Sequence, residues 1–423
     1  PSHIKLLSKV KCVIANGVEC EPLLQIDQRL MENFPNKIIT GLKLAMKATG
    51  AGTGIIALKK KYKQAIMSIS RAIKKEKDIE FKTLDNIYPM GDEQTLTYEI
   101  TKRIVPETGL PLDVDVLVHN VGTLYNIFQA WNKNPVIDKF ITVTGDVAEP
   151  ATMNVPIGTP FQDLLKKVGG PKEKDFVLIK GGPMMGCAAD PDEEVVTKTS
   201  SGFLILPQDH ILSQMKNQTG AKSIKLAKTL CIQCNTCTEH CPRYQLGHRI
   251  KPHLLMRKIG LSGIHDGQKI DEKFNDAFLC CECGVCTFYS CPMGLNPQKV
   301  IQGIKNELLK NKIERKTRSF KPQVRSFFKE KSIPFNKLLK RLHLAQYDHK
   351  IPFLPDRMEF NHVLIPLKQH IGQAAKPKVK KGQSVKKADL IADVGAEKIG
   401  AGIHASITGK IVKITDSYIE IKR

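Results

Sequence analysis

Two short runs of cysteines constrain this chain more than any other feature. The first run has the pattern C-x2-C-x2-C-x3-C-P over residues 231–242, and the second has C-x2-C-x2-C-x4-C-P over residues 280–292. In such runs the cysteines at i, i+3 and i+6 wrap one iron–sulfur cubane, and the fourth, just before proline, ligates the other cluster. The sequence therefore predicts two 4Fe–4S clusters and a role in moving electrons.

The spacing also assigns each cysteine to a cluster. The predicted ligands of one cluster are Cys231, Cys234, Cys237 and Cys291, and those of the other are Cys280, Cys283, Cys286 and Cys241. Cys281 falls outside the spacing and is predicted to be a spare thiol. Paired zinc sites are the alternative, because zinc is also bound by paired cysteines. Eight ordered cysteines with two Cys-Pro endings fit iron–sulfur clusters better.

Length and targeting signals limit the class of protein. A chain of 423 residues is long enough for two to four domains, since domains run to roughly 100–200 residues each. No apolar stretch reaches the roughly 18 residues of a membrane-spanning helix, and the N-terminal PSHIKLLSKVKCVIANG is neither a signal peptide nor a transit peptide. Twelve cysteines without an export signal indicate metal ligation in the reducing cytoplasm.

The chain is strongly basic, with a formal net charge of +23. The charge is diffuse and is densest between Lys305 and Arg341. A single Trp and the lack of helix-turn-helix or zinc-finger spacing argue against nucleic acid as a partner. Two interpretations of the basic run stay open: a solvated linker, or a docking site for an acidic redox partner or for a compartment surface.

Apolar periodicity predicts a multidomain α/β and β protein. Residues 1–139 alternate strand patterns (KCVIAN, GIIALK, DVLVHN) with helix patterns (NKIITGLKLAMKATG, YKQAIMSISRAIKKE). Residues 140–210 form a small domain with the strands FITVTGDV, FVLIKGG and GFLILP. Residues 225–312 hold the cysteines, and 313–350 are the basic linker. Residues 351–423 are β-rich with regularly placed glycines, which predicts a small barrel or sandwich.

Polar loops after the strands of the first domain are candidate ligand-binding positions. Glu19 and Glu21 follow KCVIAN, at a strand end, where ligands bind in α/β sheets. Because they are two apart in an extended segment, both carboxylates can face one side of a pocket. Further candidates lie in this loop, in YPMGDEQTL and in HNVGT: Asn16, Gly91, Glu93, Asn120 and Thr123. Taken singly, such residues are more often solvated loops or helix caps.

In this order the motifs resemble the family of Rnf-complex C subunits and PduS-type cobalamin reductases, which is related to the flavin subunit of respiratory complex I. The resemblance spans essentially the whole chain, through NGVECEPLL, YPMGDEQTL, HNVGT, TVTGDVAEPATMNVPIGTP, KGGPMMG, CPRYQLGHRIKPH and CPMGLNPQKV. The barrel-sandwich domain comes last here, as in the cobalamin reductases, whereas the Rnf subunits carry it first.

The resemblance implies domains and site residues. It implies an FMN- and NADH-binding α/β domain, a soluble-ligand-binding β-grasp domain, a two-cluster ferredoxin-like domain and a lipoyl-like barrel-sandwich domain. It gives Glu19 and Glu21 catalytic roles at the flavin and nicotinamide. It gives cofactor-binding roles to Asn16, Gly91, Glu93, Asn120 and Thr123. The last two would hydrogen-bond the FMN phosphate or ribityl chain.

The activity implied by the resemblance is that of an NADH-dependent oxidoreductase. Electrons would pass from NADH through FMN and two 4Fe–4S clusters to a corrinoid or a redox protein. The expected location is the cytoplasm, with the interior of a bacterial microcompartment as a further expectation. Its shell and a corrinoid adenosyltransferase are expected partners. The alternative function is a flavin-free iron–sulfur relay subunit that docks to a separate reductase.

Two segments depart from the family pattern. The family's flavin domain opens with the loop G-x-G-G-A-G-F-P-S/T-H, whose backbone amides hold the FMN phosphate, and only Pro1, Ser2 and His3 of it are present. FMN binding is therefore expected to depend on residues upstream of Pro1. Lys398 follows Glu397 at a predicted carrier hairpin without the Asp-Lys signature, so an unmodified lysine is expected.

Overall fold

The first domain is a parallel sheet covered by helices. A computed structural model describes residues 8–261, 270–315, 321–395 and 399–423; Pro1 to His3, Glu397 and Lys398 lie outside these ranges. The strands of the first domain are β1 (Cys12–Gly17), β2 (Thr53–Lys59), β3 (Ile79–Leu84), β4 (Ile87–Tyr88) and β5 (Val116–Asn120). Its helices are α1 (Ile26–Asn33), α2 (Pro35–Thr49), α3 (Lys63–Ile73), α4 (Glu93–Thr101) and α5 (Val121–Trp131), with a 3-10 turn at Pro111–Val114.

The sheet order β3–β2–β1–β5 brings the loops after these strands to one edge. All three pairings are parallel, so the loops that follow β1, β2 and β5 lie side by side. Helix α2 begins at Pro35, which suits the first helical turn, and ends at Gly50 with a left-handed φ of 69°. The alternation of strands and helices predicted from the sequence is confirmed in this region.

The second domain is a mixed sheet with one helix. Its elements are β6 (Asp138–Gly145), β7 (Ala151–Pro156), α6 (Phe161–Lys167), β8 (Phe176–Lys180), β9 (Cys187–Ala189) and β10 (Gly202–Pro207). The sheet order is β12–β7–β6–β10–β8–β9, in which β12 (Phe353–Arg357) comes from much later in the chain. Phe161 of α6 packs on Phe203 of β10, with ring centroids 5.2 Å apart.

The cysteine-bearing domain is helical. Its helices are α7 (Ile211–Asn217), α8 (Gly220–Leu230), α9 (Thr236–Glu239), α10 (Pro242–Gln245), α11 (Pro252–Leu261) and α12 (Pro297–Lys310). A 3-10 helix covers Glu272–Leu279 and a π-helix covers Cys286–Ser290. Helices α8, α11 and α12 share one core, in which Leu255, Ile259 and Ile304 are buried. This core supports both cysteine runs.

The basic segment differs from the solvated linker that the sequence favoured. It forms β11 (Ile333–Pro334), α13 (Phe335–Arg341) and a 3-10 turn at Ala345–Tyr347. Strand β11 pairs antiparallel with β4, and Leu338 and Leu339 of α13 are buried in a core shared with the first three domains. The interpretation as a solvated linker is wrong here, because apolar residues at helical spacing lie between the lysines.

The C-terminal domain consists of two small sheets. Its strands are β13 (His362–Pro366), β14 (Lys376–Pro377), β15 (Ser384–Val385), β16 (Leu390–Asp393), β17 (Ile403–His404), β18 (Gly409–Ile414) and β19 (Tyr418–Lys422). They pair as β13–β19–β18–β15 and β14–β16–β17. Ile157 of the second domain enters its core. Among the described residues, no helix combines the length and the apolar character needed to cross a membrane.

Candidate redox site

The predicted cluster ligands come together as two separate groups. Cys231, Cys234, Cys237 and Cys291 line one small cavity, which we call the outer cysteine group. Cys241, Cys280, Cys283 and Cys286 line another, which we call the inner cysteine group. In each group the fourth cysteine comes from the other run. Cys281, predicted to be a spare thiol, also borders the inner cavity.

Left-handed residues between the cysteines wrap each run around its cavity. In the first run, Gln233 and Asn235 have φ values of 57° and 67°. In the second run, Glu282 and Gly284 have φ values of 59° and 78°. These turns bend the chain between successive cysteines, so that the thiols converge from different sides. At Gly284 a Cβ atom would lie 3.0 Å from the carbonyl oxygen of Met184, so the close approach also requires glycine.

Hydrogen-bond donors point at the cysteine sulfurs. The backbone N–H of Glu282 donates to Cys280 Sγ at 3.3 Å, and that of Leu295 donates to Cys291 Sγ at 3.4 Å. The Gln233 amide donates to Cys231 Sγ at 3.1 Å. Donors of this kind stabilise thiolate ligands and adjust the reduction potential of a bound cluster.

The separation of the cysteines tests the zinc alternative. Among the described residues, no three His, Cys, Asp or Glu side chains form a group that could hold a single metal ion. The sulfurs of a zinc site lie within about 4 Å of each other, because each is about 2.3 Å from the same ion. The sulfurs around a cubane bind four different irons and are farther apart. The two groups therefore fit 4Fe–4S clusters and disfavour zinc.

Burial makes the free thiols hard to ionise. It raises the pKa of Cys237 to about 12, helped by the neighbouring cysteines, and it also raises the pKa of Cys241 to about 12. Such thiols ionise when a cation binds beside them. The donor set thus suits metal ligation rather than nucleophilic chemistry.

If both groups hold cubanes, iron analysis should find about eight irons and eight inorganic sulfides per chain, because each cubane contains four of each. The measurement is iron and sulfide content after anaerobic reconstitution and removal of loose metal. A reproducible value near four irons would contradict the assignment of one group.

The inner cysteine group contacts the first domain directly. The buried hydroxyl of Tyr88, in β4, donates to the backbone carbonyl of Cys283 at 2.6 Å. Four residues further on, Asp92 accepts two hydrogen bonds from the Arg243 guanidinium, at 2.5 and 2.8 Å. Burial alone would raise the pKa of Asp92, but the charge and hydrogen bonds of Arg243 hold it below its usual value. The YPMGDEQTL loop is therefore fixed against the inner cysteine group.

A cleft of about 540 Å³ opens at the carboxyl edge of the parallel sheet, within the size range of small-molecule sites. Four of the predicted site residues line it: Glu19, Glu21, Asn120 and Thr123. The second domain supplies the opposite wall, including Lys139 and Phe140.

Glu19 has an unsatisfied acceptor at this cleft. Its side chain is buried, Oε1 accepts the backbone N–H of Ile26 at 2.9 Å, and Oε2 has no hydrogen-bond partner. Burial and the nearby Asp27 carboxylate raise the pKa of Glu19. A buried carboxylate oxygen without a partner is costly, so a ligand that donates a hydrogen bond here would be stabilised.

Asn120 and Thr123 lie at the N-terminus of α5. Asn120 Oδ1 caps the helix by accepting the Gly122 N–H at 2.7 Å, and its Nδ2 donates to Asp27 Oδ2 at 2.7 Å. Burial raises the pKa of Asp27. Helix N-termini favour anions through their free N–H groups. The cleft thus combines an anion-favouring end, the unpaired Glu19 oxygen and an apolar wall, a combination that fits FMN.

The structure does not bring Asn16, Gly91 and Glu93 into the cleft lining. Asn16 Nδ2 donates to the Gly91 carbonyl at 2.9 Å, and Asn16 Oδ1 accepts the Val18 N–H at 3.0 Å. These bonds hold the loops after β1 and β4 together. Glu93 is the first residue of α4 and is half-buried. Their predicted cofactor contacts stay predictions.

Glu21 joins three domains. Its two oxygens accept the backbone N–H groups of Met184 and Met185 at 2.8 Å each, in the KGGPMMG turn of the second domain. Lys216 Nζ donates to the Met184 carbonyl at 2.9 Å from the other side and lies 4.6 Å from the centre of the Phe288 ring. Both Glu21 oxygens are therefore already occupied, in contrast to Glu19.

A second cleft of about 230 Å³ lies beside the first and shares Glu19 and Glu21 with it. Lys59, at the end of β2, is buried, and its Nζ lies 3.8 Å from the centre of the Phe335 ring. Burial lowers the pKa of Lys59 to about 8. The basic segment, through Phe335 and His349, forms the outer wall.

Several of these residues were not predicted from the sequence. They are Asp27, Lys59, Tyr88, Arg243 and Lys216. Tyr88 and Arg243 stand inside quoted motifs, YPMGDEQTL and CPRYQLGHRIKPH, and that was the available signal. The other three act through partners distant in sequence, which no local pattern shows.

Four family models match successive parts of the chain. The Nuo51 FMN-binding domain matches residues 1–129 and the SLBB domain matches residues 140–188. A 4Fe-4S dicluster domain matches residues 230–296, and the RnfC barrel sandwich hybrid domain matches residues 355–422. These matches confirm the predicted multidomain α/β and β fold, with domains of FMN-binding and 4Fe–4S type.

The chain is also similar over its whole length to known proteins. It is 37% identical over 426 residues to cobalamin reductase PduS of Citrobacter freundii, and the match spans 100% of this chain and 92% of that protein. The chain belongs to the PduS cobalamin reductase family. The Salmonella typhimurium member is 35% identical over 427 residues, with the same coverage. Family membership makes the chain an oxidoreductase and confirms the resemblance predicted from its motifs.

A more distant relative covers part of the chain. The Na+-translocating ferredoxin:NAD+ oxidoreductase complex of Acetobacterium woodii contains an RnfC-type protein that is 36% identical over 249 residues, or 57% of this chain and 53% of that protein. The predicted link between the cobalamin reductases and the Rnf complexes is thereby confirmed.

Proposed function

We propose that this chain is an NADH-oxidising reductase that passes electrons through FMN and two 4Fe–4S clusters to a corrinoid. A nicotinamide gives up two electrons together, whereas 4Fe–4S clusters carry them singly, and FMN when bound supplies the chemistry that links the two. The name cobalamin reductase carried by the full-length relatives supports a corrinoid acceptor.

The observation that carries the proposal is the contact between the nucleotide-type domain and the inner cysteine group. Tyr88 donates to the carbonyl of Cys283, and Gly91 of the same loop accepts from Asn16 beside the cleft. The cleft and the inner cysteine group are therefore held by one continuous set of hydrogen-bonded loops. A separate reductase would have to replace this connection in a flavin-free relay.

The side chains have distinct roles in this proposal. Glu19 Oε2 would accept a hydrogen bond from the bound flavin or nicotinamide and could hold a proton there, because its pKa is raised by burial and by Asp27. Asn120 and Thr123 would orient the phosphate end at α5. Glu21 would position the second domain as the wall of the cleft.

The location and partners extend the proposal. We infer that the protein works in the cytoplasm, within a bacterial microcompartment, with the shell or a corrinoid adenosyltransferase as a neighbour. This rests on the resemblance to the reductases of propanediol-utilisation microcompartments.

Glu19→Gln should lower NADH-driven dye reduction on the order of a hundredfold, because it changes the one cleft carboxylate with a free buried oxygen at the reacting group. The clusters should be untouched. The measurement is the NADH-dependent rate of protein loaded with FMN and reconstituted with iron and sulfide, beside cluster reduction by dithionite.

The matched control is Glu193→Gln, an exposed carboxylate outside the cleft lining. It should retain the parent NADH-dependent rate. If Glu19→Gln also retains that rate, the hydride site is not at Glu19 and the relay function gains. Visible spectra separate the two functions as well: flavin peaks above the iron–sulfur shoulder support the proposal, and the shoulder alone supports the relay.

A further inference from the structure

The two cysteine groups differ in their access to solvent. In the inner group, Cys241, Cys283 and Cys286 are 8–9% exposed. In the outer group, Cys234 is exposed and none of the other three is buried. Since the inner group contacts the first domain through Tyr88, electrons from that domain would enter at the inner group and leave at the outer group.

An apolar patch surrounds the outer cysteine group. Ile232 and Met293 line its cavity and are 61% and 41% exposed. Leu230, at the end of α8 and next to Cys231, is 43% exposed. Large apolar side chains exposed together in this way mark interaction sites. We call these three residues the apolar patch.

Positive side chains border the apolar patch. Lys228, in the last turn of α8, is exposed three positions before Cys231. Exposed Arg341, from α13, donates to the carbonyl of Cys291 at 3.3 Å. Lys251 approaches His253 of the outer cavity: burial and then this lysine lower the pKa of that histidine. We call these three cations the basic rim.

Negative charge nearby is neutralised. Glu239, in α9 between the two cysteine groups, forms an ion pair with Lys331 at 2.6 Å. The local balance at the outer group is therefore positive, in keeping with the net charge of +23. A partner that complements this surface is acidic and brings an apolar contact of its own.

We propose that the apolar patch and the basic rim dock an acidic redox protein that collects electrons one at a time from the outer cysteine group. Each transfer takes one electron from the reduced cluster at this group and adds it to the acceptor centre of the docked protein, with no bond made or broken. The proposal rests on the proposed function for the clusters and extends it by naming where and to what kind of surface the electrons leave.

The test uses the full chain with reconstituted clusters, reduced with dithionite and then desalted. The probe is oxidised flavodoxin, an acidic one-electron carrier, mixed in a stopped-flow instrument. Ile232→Glu and Lys228→Glu should each lower the second-order rate constant on the order of tenfold, since both add negative charge to the docking surface. Raising the salt should slow the parent, because the Debye length falls from about 10 Å at 0.1 M to about 3 Å at 1 M.

The controls are matched changes on the C-terminal domain. Ile371→Glu replaces an isoleucine that is 88% exposed, and Lys380→Glu replaces an exposed lysine; both should react like the parent. Reduction of methyl viologen, a small dye, should be equal in all five proteins. Iron content and the spectrum of each variant show whether its clusters are intact, and Lys228→Glu keeps the test valid if Ile232→Glu loses iron.

Three results would overturn the docking surface. The first is equal flavodoxin rates in the patch, rim and control variants. The second is a parent reaction with flavodoxin that is absent or insensitive to salt. The third is binding to phosphatidylglycerol vesicles without binding to flavodoxin. Failure of the parent to take up iron would instead overturn the proposed function, and loss of NADH-driven activity alone would leave this test unaffected because dithionite supplies the electrons.

Discussion

Replacing Cys283 with serine is expected to remove the inner cluster, which is about four of about eight irons. Cys283 is buried at the inner cavity, and its carbonyl accepts the hydrogen bond from Tyr88. A serine hydroxyl is a poorer iron ligand than a thiolate and keeps the size of the side chain, so the change acts on ligation rather than on packing. The measurement is iron content per chain, with the electron paramagnetic resonance signal of the reduced protein showing which cluster is left.

Cys281→Ser is the matched control for this change. Cys281 borders the same cavity but stands outside the ligand spacing, and it should keep the full iron content. The two cysteines are neighbours, so the comparison holds burial and location nearly constant. Equal iron loss in the two variants would show that the inner cluster is ligated differently from the pattern.

Replacing Arg243 with methionine should destabilise the contact between the first domain and the inner cysteine group by about 3–5 kcal/mol, because it leaves the Asp92 carboxylate buried without its partner. Arg243 is 8% exposed, and its two bonds to Asp92 are bidentate. The effect should appear as roughly 10²- to 10³-fold faster hydrogen exchange of α4 amides, at 1.4 kcal/mol for each factor of ten.

Arg257→Met is the control, since Arg257 is exposed on α11. The double variant Asp92→Asn with Arg243→Met should recover part of the loss, because no unpaired charge is left. Exchange rates of α4 that stay at the parent value in Arg243→Met would mean that the ion pair does not hold the loop.

The two kinds of site differ in how far the sequence predicts them. The cysteine groups follow from local spacing, because three ligands of each cluster lie within seven residues and the Cys-Pro endings supply the fourth. The cleft does not, because its walls come from separate domains. Glu19 and Glu21 look equivalent two positions apart, yet the fold pairs Glu21 with the Met184 turn and leaves Glu19 Oε2 without a partner.

The basic segment shows why composition misled at another place. Its lysines and arginines suggested solvation, but Ile333, Phe335 and Leu338 enter a core with residues of three domains. Such packing depends on which distant surfaces are available, and a charge count carries no information on that. The regular strands and helices of the first domain were predictable because their periodicity is local.

The pairing of β11 with β4 has a consequence for the order of assembly. Chains are made from the N-terminus, and domains fold as they emerge. Strand β4 and both cysteine runs leave the ribosome before β11, so the inner cysteines are complete while the segment that later covers them is still unsynthesised. Iron and sulfide have their widest access to the inner cysteines in that interval. Arrival of β11 and α13 then closes the core around them, and a nascent chain that stalls before Ile333 would keep that core open.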